Sequence, residues 1–389
     1  MIYLEQHQIL FFLISILFIS AMFSVFFKYN VDVESRNIQL DSIRFFLASS
    51  VMFSHSIYMY HHIRGPKWMT TTPILSFYAM IGVAMFFSIT GFLFWGKVSK
   101  DDNPNWISLF INRFFRIVPL IIINVICIVI VYSFYAWLSE RNTHISYDLI
   151  YWFDFLNNTK KQFNGISSAW VATAGVYWTL VYEWGFYFSL PILWMLGRKN
   201  RSTAFTIGLI FLIIYLLPGL VQQISFYVRP FAFLHFVIGM LVWEVKNKII
   251  ISKKVADVLL LFSVGYILFF GYKTGEAVYD TSSYINFFIF LILLLLSKGA
   301  DLWGVLKFRI FVLLGEASYS IYIMHGVVIF TLLRIAQYLN VSDRYIPFLF
   351  LVSYVTTYLV SIMTYFYIEK PFIFHGKKIV KLYVKNERD

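Results

Sequence analysis

Ile117-Val118-Pro119-Leu120-Ile121-Ile122-Ile123-Asn124-Val125-Ile126-Cys127-Ile128-Val129-Ile130-Val131-Tyr132-Ser133-Phe134-Tyr135-Ala136-Trp137-Leu138 runs for 22 residues without a charged side chain. As a helix rising 1.5 Å per residue it covers about 33 Å, enough to cross a hydrocarbon layer of roughly 30 Å. Working outward from it, comparable apolar runs are read at 9–27, 41–60, 73–96, 177–196, 204–221, 229–245, 255–272, 283–297, 311–335 and 345–368. Lipid offers backbone amides no partner, so such runs fold as helices. A β-barrel would show alternating segments of about ten residues, and the chain has none of that pattern. The fold expected is all-α and polytopic, with ten or eleven transmembrane helices. Composition points the same way: 60% of the 389 residues are apolar, 13% are charged, and mean hydropathy is +0.72. A soluble domain carries about 25% charged residues. These charges are too few to coat a globule in water, which excludes a soluble enzyme, a solenoid and a disordered linker.

Orientation follows from where the 32 Lys and Arg fall. With the N-terminus outside, the cytoplasmic segments are 28–40, 97–116, 197–203, 246–254, 298–310 and 369–389. They hold 22 basic residues against 8 in the outer segments, and cytoplasmic loops carry such an excess. The same clusters account for the net charge of +12 without a nucleic-acid partner. The run at 9–27 lacks the basic start and small-residue cleavage site of a secretory leader, so it reads as a retained span. The domain plan is an extra N-terminal helix and linker over 1–40, a ten-helix membrane domain over 41–372 and a basic cytoplasmic tail over 373–389. Anionic headgroups are the expected neighbours of that tail. The outer segment 139–176 has no apolar core of its own and is expected to cap the outer face. One cysteine, Cys127, excludes an intrachain disulfide and a cysteine-rich metal site.

A charged side chain inside hydrocarbon is costly unless paired or wetted, so each one is a candidate for function. Asp41 and Arg44 lie three apart at the inner boundary and can pair on one helix face. His55 stands eleven residues beyond Arg44, about 16 Å along the axis, which places it in the outer half of the membrane. A neutral imidazole suits general-base work near pH 7. The alternative is a boundary histidine bonded to a neighbour. Glu183 stands about one and a half turns inside the outer boundary, where it can orient a histidine or pair with a basic group. Arg113 and Arg116 share a helix face just outside the inner boundary. Guanidinium forks match phosphate oxygens, although topology alone would also place two arginines there. Ser318, Tyr322 and His325 fall on one face of the span at 311–335, a polar stripe expected to face a cavity, with His325 near mid-membrane. Pro371 is expected to mark the exit from the last helix. Glu369 and Lys370 are then either part of the site or the solvated end of the span.

Together these residues resemble the integral-membrane acyltransferase-3 family, the O-acyltransferases of surface polysaccharides and related acceptors. That family opens with a basic residue followed, after ten others, by histidine, as Arg44 and His55 do. Phe86-Phe87-Ser88-Ile89-Thr90-Gly91-Phe92 is similar to its Phe-Phe-x-x-Ser-Gly-Phe stretch, with Thr90 in place of serine. Arg113 and Arg116 are similar to its cytoplasmic Arg-x-x-Arg. Tyr177-Trp178-Thr179-Leu180 through Glu183 and Tyr187 resembles its Trp-Ser-Leu-x-x-Glu-x-x-Phe-Tyr block, with threonine for serine. Gly315-Glu316-Ala317-Ser318-Tyr319-Ser320-Ile321-Tyr322 through His325 resembles its block near the C-terminus, and Glu369 with Pro371 its closing one. The order of the six motifs from Asp41 to Pro371 is the family's. The helix at 9–27 precedes the usual start.

The resemblance implies transfer of an acyl group, acetyl being the one expected, from cytoplasmic acetyl-CoA to a hydroxyl of an envelope or surface polysaccharide or its lipid-linked precursor. It implies Arg113 and Arg116 as the donor-binding pair. His55 is expected as general base or transient acyl carrier, Glu183 as the group that fixes or charges it, and His325 as the competing base. Asp41, Arg44, Ser318, Tyr322 and Glu369 are expected in support. No metal is expected. The partners implied are acyl-CoA, the glycan acceptor and membrane lipid, in a multi-pass protein of the bacterial cytoplasmic (inner) membrane with its C-terminus inside. Some relatives carry a hydrolase-like domain after the last span; none is read here, which leaves room for a separate extracytoplasmic transferase. The alternative reading is a transporter or flippase of glycan intermediates, which would use the same intramembrane charges as a path.

Overall fold

The computed structural model describes residues 14–19, 21–22, 37–65, 68, 73–138, 147–153, 163, 166, 168–197, 231–274 and 284–386. Within them the chain forms α1 (Ile38–Arg64), α2 (Pro73–Val98), α3 (Trp106–Leu138), α4 (Trp178–Gly197), α5 (Phe231–Val245), α6 (Lys253–Thr274), α7 (Ile285–Ser297), α8 (Arg309–Glu316), α9 (Ser318–Tyr338), α10 (Ile346–Thr364) and α11 (Lys370–Asn386). Among the described residues, the helical stretches Ile74–Val98, Trp106–Trp137, Lys253–Lys273, Ser318–Tyr338 and Asp343–Tyr383 are long and apolar enough to cross a membrane. The protein is an all-α, multi-pass membrane protein. The span expected at 204–221 lies outside the described residues. So does most of the span at 9–27, of which 14–19 and 21–22 are helical.

Helix α3 shows why lipid must be the solvent. It buries Ile121, Val125, Ile128 and Tyr132 against the bundle and leaves Ile122, Ile126, Ile130 and Phe134 exposed as a stripe on the other side. A helix apolar on both faces has no stable place in water. Helix α1 starts at Asn37, whose side chain accepts from the Leu40 N–H at 3.3 Å, and Asp41 in the first turn complements the helix dipole.

Glycines set the closest helix crossings. A Cβ on Gly239 of α5 would run into the carbonyl of Ser88, and one on Gly91 of α2 into the carbonyl of Phe236. Backbone-to-backbone packing through small residues is what holds helices together when lipid removes the hydrophobic drive. Gly239→Ala should therefore push α2 and α5 apart and lower the thermal midpoint of the detergent-solubilised protein by several degrees, as overpacking by about 1–3 kcal/mol does. Gly265 in α6 has open space around its Cβ position, so Gly265→Ala should leave the midpoint unchanged or raise it. Equal effects of the two substitutions would contradict this packing.

The loop 298–308 is pinned electrostatically. Asp301 accepts from Lys253 Nζ at 2.5 Å and pairs with Lys307 at 2.8 Å, while Asp257 accepts the backbone N–H groups of Asp301 and Leu302 at 2.7 and 2.9 Å. Burial pushes the Asp301 carboxyl up, but the two lysines and the Gly304 N–H outweigh it and bring the pKa down to about 2.

Two expectations are corrected here. The span at 311–335 is not one helix: it breaks at Ala317 between α8 and α9. Helix α8 is held against the start of α1, where a Cβ on Gly315 would collide with the Asp41 carbonyl and where the Ser42 hydroxyl donates to the Leu306 carbonyl at 2.5 Å. Pro371 does not end the last helix. A π-turn over Tyr365–Glu369 precedes it and the chain continues as α11 to Asn386. In a regular α-helix the proline ring would strike the carbonyl four residues back, and the wider turn gives it room. The helix of the 117–138 run starts earlier than the run does, at Trp106, so α3 carries Arg113 and Arg116 on the shared face that their spacing predicts.

Candidate functional site

A cavity of about 280 Å³ opens between α1, α2, α3, α4 and α9. Arg44 from α1, Lys97 from α2 and Arg113 and Arg116 from α3 line it, against Glu183 of α4 as the carboxylate in the wall. Among the residues that line it, four are cationic and one is anionic, although Arg44 and Arg116 also have carboxylate partners behind the wall. Aromatic rings of α2 hold the arginines in place: the Arg113 guanidinium lies 4.8 Å from the Phe94 ring centroid and Arg44 lies 6.0 Å from that of Phe86. Arg44 also pairs with Asp41 at 3.9 Å, as the spacing predicts. Arg116 pairs with Glu369 at 3.7 Å, and Glu369 accepts from the buried Ser320 hydroxyl at 3.0 Å. Glu369 is itself buried, carried inward by the π-turn, so the reading of it as a solvated span end is overturned. The opposite wall of the cavity is hydroxyl-bearing, with Thr179, Ser318 and Tyr322.

Beyond that wall two histidines meet. His55 Nδ1 lies 3.0 Å from His325 Nε2, and His325 Nδ1 lies 3.0 Å from the carbonyl of Ile321. A carbonyl only accepts, so His325 carries its proton on Nδ1 and its Nε2 is a lone pair. That lone pair accepts from the Nδ1–H of His55. In the neutral pair the Nε2 of His55 is therefore left as a free base, an assignment made from the bonding pattern. His325 is fully buried, whereas His55 is partly accessible. Helices α1 and α9 both place a cavity residue (Arg44, Ser318) ahead of the histidine in the chain, so they run side by side in the same direction. The residue between the two regions is Tyr322. It lines the cavity, its hydroxyl donates to Thr179 Oγ1 at 3.1 Å, and its ring centroid lies 6.2 Å from that of His325.

The expected partnership of His55 with Glu183 is not what the structure forms. The carboxylate of Glu183 accepts from the Tyr187 hydroxyl and its charge bears on Arg44, Arg113 and Arg116. Within the segment 139–176, the 3-10 turn Ala169–Thr173 packs into the bundle, with Ala169, Val171 and Ala172 buried. It packs on Gly326, where a Cβ would come 2.6 Å from Thr173. Glu183 lies a full turn beyond Thr179 in α4 and lines the cavity together with the arginines.

Sequence reasoning missed Asn124 and Lys97. Asn124 is fully buried, donates to the Ile323 carbonyl at 3.1 Å and accepts from the Tyr177 hydroxyl at 2.7 Å. Its signal was plain, an amide inside the 22-residue apolar run. Lys97 gave no signal apart from the topogenic charges around it.

Residues 37–366 match the acyltransferase domain family known as acyltransferase-3. Nodulation protein 10 of Rhizobium leguminosarum bv. viciae is 29% identical over 181 residues. That alignment covers 43% of this chain and 47% of the relative, so the chain spans about half the length of the curated relative it matches. No solved structure matches.

Proposed function

The chain belongs to the acyltransferase-3 family, and from that premise we propose that it moves an acyl group, acetyl first among them, from cytoplasmic acyl-CoA to a hydroxyl of an envelope or surface polysaccharide or its lipid-linked precursor. One observation carries this reading: a cationic cavity and an imidazole with a free lone pair lie on either side of Tyr322. The arginines and Lys97 would take the phosphates of the donor, and the pantetheine arm would run along the hydroxyl wall. On the far side, His55 Nε2 would take the proton of the acceptor hydroxyl as its oxygen attacks the thioester carbonyl. The C–S bond would break, and the departing thiolate of CoA would take up the proton that His55 received, returning the imidazole to its neutral form. His325 keeps the His55 ring in the tautomer that can do this and spreads the positive charge that forms on it.

Purified protein given labelled acetyl-CoA and a glycan should release free CoA in proportion to the acceptor hydroxyl supplied. Glycan movement across liposomes without CoA turnover would instead support a transporter. In this reading the protein sits in the bacterial cytoplasmic (inner) membrane with its N-terminus outside and its tail inside. After removal of Cys127, a cysteine at position 158 should react with an impermeant thiol reagent on intact cells and one at position 381 should be protected. The reverse pattern would turn the arginine cavity away from cytoplasmic CoA.

A further inference from the structure

Around His55, on the side away from the arginine cavity, stands a cluster of aromatic rings with no part in the mechanism above. Trp68 follows α1, and Trp170 lies on the inserted 3-10 turn. Their ring centroids are 4.9 Å apart at 63°, edge to face. Trp68 lies 6.0 Å from His55, Tyr58 lies 5.5 Å from Trp68, and His62 lies 6.2 and 6.1 Å from the two tryptophans. The four rings Trp68, Trp170, Tyr58 and His62 are half-buried. They differ in this from lipid-facing aromatics of the same protein, such as Trp137 at 66% and Tyr272 at 79% exposure. A membrane-interface belt is built of the exposed kind. These rings pack on one another and on the accessible histidine of the pair.

We propose that Trp68 and Trp170 form the acceptor subsite, a stacking platform for a sugar ring that presents its hydroxyl to His55 Nε2. The proposal rests on the acyl-transfer reading and deepens it. The face of a pyranose that carries axial C–H bonds is weakly positive and apolar, and it matches the negative face of an indole ring. Such a platform grips the ring plane and leaves the equatorial hydroxyls at its rim, where a base must reach them. Two tryptophans at an angle also suit two successive sugars of a chain better than a lone small alcohol. The turn bearing Trp170 is seated on Gly326, the residue after His325, so the platform and the histidine pair are built on one support.

The test uses membranes containing the full chain, labelled acetyl-CoA, and envelope glycan extracted from the cells that carry the protein. Trp68→Ala and Trp170→Ala should each raise the glycan concentration at half-saturation at least about tenfold, a loss typical of a buried aromatic anchor. Half-saturation by acetyl-CoA should stay at the wild-type value, which also shows that the variants are folded. Trp170→Phe should bring the glycan value back to within about threefold of wild type, since a flat ring is what the site requires. Unchanged glycan half-saturation in both alanine variants overturns the subsite and leaves the acyltransferase intact. Absence of base-labile label on the glycan with wild-type membranes removes the acyl-transfer reading itself, and the subsite falls with it.

Discussion

Replacing His55 with alanine should lower turnover by about 10²–10⁴-fold, the usual contribution of a positioned general base, while acyl-CoA still binds. Donor binding should persist because the cationic cavity lies beyond Tyr322 and His55 is not among its lining residues. His325 should behave differently. In the proposed mechanism its Nε2 receives the His55 Nδ1–H, so it would act through His55 and not on the acceptor. His325→Gln places an amide oxygen where that lone pair was and should retain part of the activity, whereas His325→Ala should lose nearly as much as His55→Ala. Steady-state transfer assays with a parallel acyl-CoA binding measurement separate these outcomes. Near wild-type turnover in His55→Ala would assign the base elsewhere.

The double substitution Arg113→Lys and Arg116→Lys is the second large effect. Both charges survive, so insertion and orientation should be unchanged. What is lost is the planar fork that holds phosphate oxygens in pairs, together with the stacking of Arg113 on Phe94. Charge-assisted hydrogen bonds contribute about 1.5–3 kcal/mol each, so acyl-CoA affinity should fall about ten- to hundredfold. Direct titration of the detergent-solubilised protein with acyl-CoA measures it. Unchanged affinity would leave the two arginines with a topogenic role alone.

Much of this fold is legible in the chain because lipid makes a severe demand: long uncharged runs must be helices, and polar residues inside them must have a reason. Arg44, Ser318, Tyr322, His55 and His325 stood out on that ground, Arg113 and Arg116 as a pair of guanidinium forks beside a span, and the cavity or the histidine pair contains each of them. What the chain does not reveal is how far each segment is pushed through the layer. Glu183 reads as an outer-half residue from its distance to the boundary. In the fold the turn Ala169–Thr173 packs on Gly326, and Glu183 of α4 lines the cavity with the arginines. The break at Ala317 and the π-turn before Pro371 are likewise tertiary, since Gly315 must meet the Asp41 backbone and Glu369 must reach Arg116 and Ser320. A hydropathy run records neither. Trp170 lay in plain view within the outer segment, but its place beside His62 and Trp68 depends on Gly326, far along the chain.

The central claim is that donor and acceptor meet from opposite sides of one membrane. It is tested most directly in proteoliposomes that hold the protein in a single orientation. Labelled acetyl-CoA is sealed on the side of Arg113 and Arg116, and glycan acceptor is supplied only on the side of Trp170. Label should appear on the glycan while the vesicles stay sealed and free CoA accumulates on the arginine side. If label reaches the glycan only when both substrates share one side, the path through Tyr322 does not exist and the account is wrong.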